Sequence, residues 1–343
     1  MAQVQELDDH GFPMYVNHEQ ALRIKLHAIQ QDVKQTELWN QYISDIHGIQ
    51  NVNFQDKKFK ALIRGGIPMT LRPYLWCKIT GSDERLAKSP GFYEQLQSIS
   101  STVPESVRQL IELDVPRTFD GATAFTPESL RKVLMAFALV HPEIGYCQSL
   151  NFIAALLIYV LGEESALWTL VIIVEKYMPK NYYQKGLYDF QVDLKLFELL
   201  IEERCPDIFK QAKHFSHEWM TTISGWLLTA FANCLPTDAV FRIWDSLFFE
   251  GQKITFRIGI SLLRLQQDAL LAAQSRKVFT QVLTDMSKQF SDTDTLMDVA
   301  FKIKLFSRKH LLELRDQAKA IVDCHPEQAP SRGLYTLFGQ LNL

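Results

Sequence analysis

Two short polar stretches carry the residue types that could do chemistry. The first is IELDVPRTFD, Ile111 to Asp120, in which Asp114 stands three residues before Arg117 with Val115 and Pro116 between them. Pro116 has no N–H and a fixed φ, and it biases Val115 towards an extended backbone. Arg117 is therefore expected on a stiff turn at a helix end, with Asp114 in reach of its guanidinium if the turn is tight. The second stretch is GYCQSLNF, Gly145 to Phe152, which joins a helix barred from continuing by Pro142 to an apolar helix beyond. Gln148 falls at or just before the first turn of that helix, where free backbone N–H groups and the helix dipole favour an anion. A glutamine can both accept from and donate to a water, and an arginine can fork onto phosphate oxygens. If the two turns converge, they suit phosphate chemistry on a nucleotide held by another molecule. Taken singly, each has a plainer reading: the arginine as a solvated or salt-bridged residue, the glutamine as a helix cap.

Other chemistries have weaker support. No G-x-x-x-x-G-K-[ST] loop and no G-x-G-x-x-G turn occurs, so the chain is not itself expected to bind and split a nucleotide. His214 and His217 in HFSHE lie three apart but lack further ligands, and read as surface or capping histidines rather than a metal pair. Cys205 and Cys324 have no oriented base beside them and read as inert. Trp76, Trp168, Trp226 and Trp244 lie inside apolar helical patterns and are assigned to the core.

The elements that must position the two turns are helical almost throughout. His18 to Ile43 is polar-apolar without glycine or proline, and is expected as one exposed amphipathic helix. FQDKKFKALIRGG is a helix stopped by Gly65 and Gly66, and the next is expected to start at Pro68 and close at Gly81. TPESLRKVLMAFALVHP has the clearest punctuation, with Thr126 as cap, Pro127 at the first helical position and Pro142 as the stop. Further helices are expected over Ser149–Leu161, Ser165–Tyr177, Asp193–Arg204, Met220–Leu235, Thr237–Phe249 and Thr255–Ala273. Neither alternating strands nor a repeat is evident, so the fold class is all-α.

Composition sets the outer bounds. The 343 residues are 47% hydrophobic and 22% charged, enough for a large buried core. A net charge of −3 argues against a general nucleic-acid binder. Five cysteines, none in a C-x-x-C pair, fit a reducing cytosol. The N-terminus lacks an apolar signal core, and the most apolar run, Asn151 to Gly162, falls short of the roughly 20 residues that span a bilayer. A soluble, cytoplasmic protein is expected. The segment from His325 to Leu343, with two prolines and two glycines, is expected to be loosely attached.

Three motifs in order carry a family resemblance: RPYLW (Arg72 to Trp76), IELDVPR (Ile111 to Arg117) and YCQ (Tyr146 to Gln148). With them the chain resembles the TBC domain of Rab GTPase-activating proteins, roughly from Arg64 to Arg257. The resemblance implies a multi-helical TBC domain over residues 64–257, with helical extensions over 1–63 and 258–343. It implies an activator of a Rab-family small GTPase in its GTP-bound state, rather than an enzyme with a substrate of its own. It needs no cofactor, since GTP and Mg²⁺ belong to the GTPase, and it allows recruitment to a membrane periphery without an integral segment. Residue by residue, Arg117 matches the arginine finger and Gln148 the glutamine finger supplied in trans. Asp114 matches the acid that holds the arginine loop, and Tyr146 the aromatic of the glutamine motif. Arg72 and Trp76 match positions that support the fold, and Arg242 and Asp245, three apart on one helix, read as a structural pair. Two departures bear on activity. Ser149 and Leu150 stand where the family commonly has glycine and methionine, so the serine is expected to crowd the GTPase. Asp120 replaces the usual proline and is expected to set a negative charge near Arg117. The rival reading is a TBC-fold module that binds a GTPase or scaffold partner without hastening hydrolysis.

Overall fold

The computed structural model describes residues 6–288, 290, 292–303 and 307–324, and the expectation for His325 to Leu343 lies outside them. Among the described residues the chain is built of helices and turns, with one isolated bridge between Leu7 and Pro13. The first helices are α1 (His18–Asp45), α2 (Lys57–Gly65), α3 (Arg72–Thr80), α4 (Ser82–Ala87), α5 (Phe92–Ser98) and α6 (Glu105–Asp114). The central group is α7 (Pro127–Val140), α8 (Leu150–Leu161) and α9 (Glu163–Ile172). Then follow α10 (Tyr188–Arg204), α11 (Pro206–His214), α12 (Met220–Leu228), α13 (Thr237–Glu250) and α14 (Lys253–Leu265). The last are α15 (Gln267–Ala272), α16 (Arg276–Lys288), α17 (Thr293–Lys302) and α18 (Arg308–Cys324).

The centre of the fold is α8. It is apolar on every side, and nine of its twelve residues are buried, as a helix enclosed by neighbours must be. It packs on α7 and α9, which also pack on each other. The punctuation of α7 is the one read from sequence. Thr126 accepts the Ser129 N–H at 3.0 Å, Ser129 accepts the Thr126 N–H at 3.2 Å, and Pro127 takes the first turn. Such a cap satisfies two of the free N–H groups and fixes where the helix starts. The C-terminal helices share this core: α18 lies along α10 and α17 along α14. None of the helices among the described residues is long and apolar enough to cross a membrane.

Several boundaries differ from expectation, each for a local reason. The helix expected from Pro68 begins at Arg72, because the Pro68 carbonyl is first taken by a turn to the Leu71 N–H at 2.9 Å. The helix expected to run from Met220 to Leu235 ends at Leu228. Beyond it Ala230 and Phe231 have φ of 47° and 68°, and the Trp244 indole takes the Ala230 carbonyl at 2.9 Å. The helix expected from Asp193 starts earlier, at Tyr188, and α9 closes in a π turn, Ile173–Tyr177. The single helix expected over Thr255–Ala273 is two, since Gln266 leaves helical geometry between α14 and α15. The first helix is not simply an exposed one. Ala21, Ile24, Gln35, Trp39 and Tyr42 are buried, and the Trp39 indole donates to the Gly66 carbonyl at 2.9 Å.

Candidate functional site: an arginine turn tied to a glutamine turn

Helix α6 ends at Asp114, and Val115–Arg117 form one 3₁₀ turn. Val115 stays in the right-handed helical region, with φ −53° and ψ −49°, where an extended backbone was expected. The residue before a proline is biased away from that region but not barred from it. Here the Thr118 N–H closes the turn on the Val115 carbonyl, and the Thr118 hydroxyl donates to the Asp114 carbonyl at 2.7 Å. The turn is stiff through tight coiling rather than through extension.

This turn sets one buried carboxylate under one exposed guanidinium. The Asp114 side chain is 8% exposed and that of Arg117 58%. Arg117 Nη2 donates to Asp114 Oδ1 at 2.5 Å, and Nε to the Leu113 carbonyl at 2.9 Å. The other carboxylate oxygen, Oδ2, accepts the Tyr146 hydroxyl at 2.7 Å. Tyr146 is buried, and burial, with the charge of Asp114 next, pushes its hydroxyl well above the ordinary phenol range. It stays protonated and can only donate to the carboxylate. Among the described residues, three of the guanidinium's five N–H groups have no partner, enough to fork onto an anion.

The glutamine turn is tied to the same place by a second path. Asn151, in the first turn of α8, donates through Nδ2 to the Thr118 hydroxyl at 2.8 Å and accepts the Ser149 N–H at 3.0 Å. From Ser149 through Asn151 and Thr118 to the Asp114 carbonyl the hydrogen bonds are continuous. Sequence reasoning had not singled out Asn151 or Thr118. A signal existed: Asn151 is the one strongly polar residue in an otherwise apolar run, and a buried amide must find partners. Gln148 itself is half-buried two residues before α8 begins, and its side-chain amide has no hydrogen-bond partner among the described residues.

Of the two departures, Ser149 takes a different form from the one expected. Ser149 is 3% exposed, so its bulk does not face outward. Its φ is 114°, a backbone region that favours glycine, and the serine therefore costs strain within the turn, on the order of 1–3 kcal/mol. Asp120 is exposed, three residues after Arg117, whose hydrogen-bond partners among the described residues are Asp114 and the Leu113 carbonyl. Burial pushes the Cys147 thiol up to about 12, which disfavours its thiolate.

The residues assigned to support form a cluster of their own. Asp245, fully buried on α13, accepts from Arg72 Nε and Nη2 at 3.2 Å each, from the Trp76 indole at 2.7 Å and from the Ile67 N–H at 2.8 Å. The expected pair of Arg242 with Asp245 is not made. Asp245 turns inward to Arg72 and Trp76, whereas Arg242 turns to Asp294 at the start of α17. His217, expected at the surface or in a cap, is buried between Trp219 and Phe279, and burial brings its imidazole down to about 4. Its ring nitrogens face the hydroxyls of Thr222 and Thr280. Cys205 is buried too, and burial raises its thiol.

Comparison with known proteins agrees with this architecture. The family model of the Rab-GTPase-TBC domain matches residues 69–271. Mouse TBC1 domain family member 2A is 32% identical over 329 residues, which is 92% of this chain and 36% of that protein. Human small G protein signaling modulator 3 is 30% identical over 255 residues, 73% of this chain and 34% of that protein. The chain thus spans about a third of the length of these curated relatives. Among solved structures, the Chlamydomonas flagellar RabGAP TBC domain superposes with a TM-score of 0.76 at 24% identity, covering 87% of this chain and all of that one. The Ypt/Rab-GAP domain of Gyp1p gives 0.65 at 17% identity, covering 78% of this chain and 97% of that one. With its all-helical fold, its three motifs and the matched segment, the chain belongs to the Rab-GTPase-TBC domain family.

Proposed function

We propose that this protein is a GTPase-activating protein for a Rab-family small GTPase, acting on the GTP-bound form through two side chains supplied in trans. The GTPase brings nucleotide, Mg²⁺ and the attacking water. Arg117 neutralises charge developing on the transferred phosphoryl oxygens, and Gln148 orients the water. Asp114 and Tyr146 hold the arginine, while Arg72 and Trp76 hold the fold beneath. The observation that carries the reading is the sharing of one buried carboxylate between Tyr146 and an exposed Arg117. A guanidinium held along its Nε/Nη2 edge, with its remaining N–H groups facing outward, has little reorganisation left to do when phosphate arrives, which is where electrostatic catalysis gains its rate. An arginine finger in Ras-class systems contributes ~10³–10⁵ in rate, or roughly 4–7 kcal/mol of barrier. The protein works in the cytoplasm, and any membrane attachment is peripheral and follows its partner.

Single-turnover GTP hydrolysis by a panel of Rab proteins, with and without this protein, tests the proposal. Stimulation of at least one Rab, lost on Arg117→Ala, is expected. One observation favours the rival reading of a binding module: the strained Ser149 beside Gln148 could hold that turn off its working geometry. Tight binding to a GTP-loaded Rab with no stimulation in the panel would establish that rival instead.

A further inference from the structure

The loop that follows Arg117 is gripped by a part of the chain far from it in sequence. Residues 8–13 lie outside the family-matched segment, which begins at residue 69. They form a closed knuckle. The Asp8 carboxylate accepts the N–H groups of His10 and Phe12, each at 2.9 Å, and the Asp8 N–H donates to the Phe12 carbonyl at 2.8 Å. His10 fastens the knuckle to the body, one ring nitrogen 3.1 Å from the Tyr159 hydroxyl on α8 and the other 2.8 Å from Asp238 on α13.

Gly11 and Phe12 then reach the arginine loop. The Gly11 carbonyl accepts the Thr123 N–H at 2.8 Å. Gly11 has φ +86°, and a Cβ there would come within 2.5 Å of the Thr123 hydroxyl, so the approach admits glycine alone without movement. The Phe12 ring, 1% exposed, meets the Phe119 ring edge-on with centroids 5.1 Å apart. Phe119 also meets Phe152 of α8 at 5.2 Å. It has φ 49°, a conformation costly for an aromatic residue that persists only where its surroundings over-determine it. Phe119 is two residues after Arg117, and Phe152 is four after Gln148. The ring of Phe12 therefore presses the arginine loop onto the helix that begins behind the glutamine.

We infer that Phe12 and Gly11 are positioning residues: they fix the C-terminal end of the arginine turn against the glutamine helix, as Asp114 and Tyr146 fix its N-terminal end. This inference rests on the two-residue mechanism proposed above, and its test separates the two. The full chain carrying Phe12→Ala, Phe12→Leu or Gly11→Ala is titrated against the GTP-loaded Rab that responds most strongly to the unaltered protein. Phe12→Ala is expected to lower the maximal hydrolysis rate at least about tenfold while half-saturation moves less than about threefold, since misplacement by an ångström is enough for such a loss. Phe12→Leu, which keeps most of the apolar contact, is expected to recover most of that rate. Amide hydrogen exchange over residues 118–124 should quicken in Phe12→Ala while α9 keeps its protection.

An unchanged rate in Phe12→Ala overturns the inference, as does a loss confined to half-saturation. If Phe12→Ala loses protection throughout the chain, Gly11→Ala decides, because the atoms its added methyl would meet most closely belong to that loop. A full rate in that variant is then the contrary result. If the unaltered protein stimulates no Rab, or Arg117→Ala keeps full activity, the functional reading fails. Unaltered exchange over 118–124 in both variants would then still overturn the buttress by itself.

Discussion

The molecule uses the same kind of triad twice, an aspartate shared by an arginine and an aromatic donor, with opposite outcomes. In the deep cluster Asp245 holds Arg72 and Trp76, and the arginine side chain is only 9% exposed. In the arginine turn Asp114 holds Arg117 and Tyr146, and the arginine is 58% exposed. Both aspartates are buried, and both have their oxygens occupied. The difference lies in what the guanidinium has left. Arg72 lies inside the fold, its two donations to Asp245 backed by the face of the Phe241 ring 5.3 Å away. Arg117 is anchored through two donors and offers the rest to solvent. A buried carboxylate can thus lock an arginine into the fold or hold one out from it, and burial of the cation decides which.

Asp245→Ala should have the largest effect. It strands the Arg72 guanidinium and the Trp76 indole in the core, and removing one partner of a buried ion pair costs about 3–5 kcal/mol. A steep fall in melting temperature is expected; a stable variant would show that the deep cluster is not structural. Arg117→Lys tests the other side. Lysine keeps the charge but loses the planar fork, so stimulated hydrolysis should drop at least about a hundredfold. Melting temperature should hardly move, and a large drop there would mean the two clusters are alike after all.

Asp114→Ala falls between them. The arginine loses its anchor and the Tyr146 hydroxyl its acceptor, which costs about 1–3 kcal/mol of stability. Stimulation should fall roughly tenfold through a wandering arginine. In an Arg117→Ala background that kinetic loss should vanish, because residues acting as one unit are not additive. Simple addition of the two losses would give Asp114 a separate task. Ser149→Gly should produce the smallest change and the opposite sign. Relief of the φ 114° strain should raise stability by about 1 kcal/mol, reduced by glycine's larger unfolded-state entropy. Chemical denaturation with an unchanged m-value measures it, and destabilisation would mean the serine side chain packs better than its backbone suffers.

What could be read from sequence was local. The i, i+3 pairing of Asp114 with Arg117 followed from spacing and a proline, and the α7 cap from Thr126 and Pro127. What could not be read was set by partners distant in the chain. Arg72 finds Asp245 across 173 residues, so Asp245 was assigned to its helical neighbour Arg242 instead. Helix α12 stops short because the indole of Trp244 claims a carbonyl that a longer helix would have used. The strain at Ser149 was invisible because backbone angles are imposed by the tertiary ties of Asn151, Thr118 and Asp114. His217 was misplaced for the same reason: nothing near it in sequence announces Phe279.

The most direct test of the central claim is phosphate release for four pairings: a responsive Rab, wild-type or with its own catalytic glutamine changed to leucine, with this protein either wild-type or Gln148→Ala. In Ras-type hydrolysis the GTPase's glutamine positions the water; here Gln148 is held to do so. The Rab variant should remain appreciably stimulated by the wild-type protein and lose that stimulation with Gln148→Ala, where Arg117 alone cannot restore it. Unchanged stimulation of wild-type Rab by Gln148→Ala would contradict the account and leave the arginine acting alone.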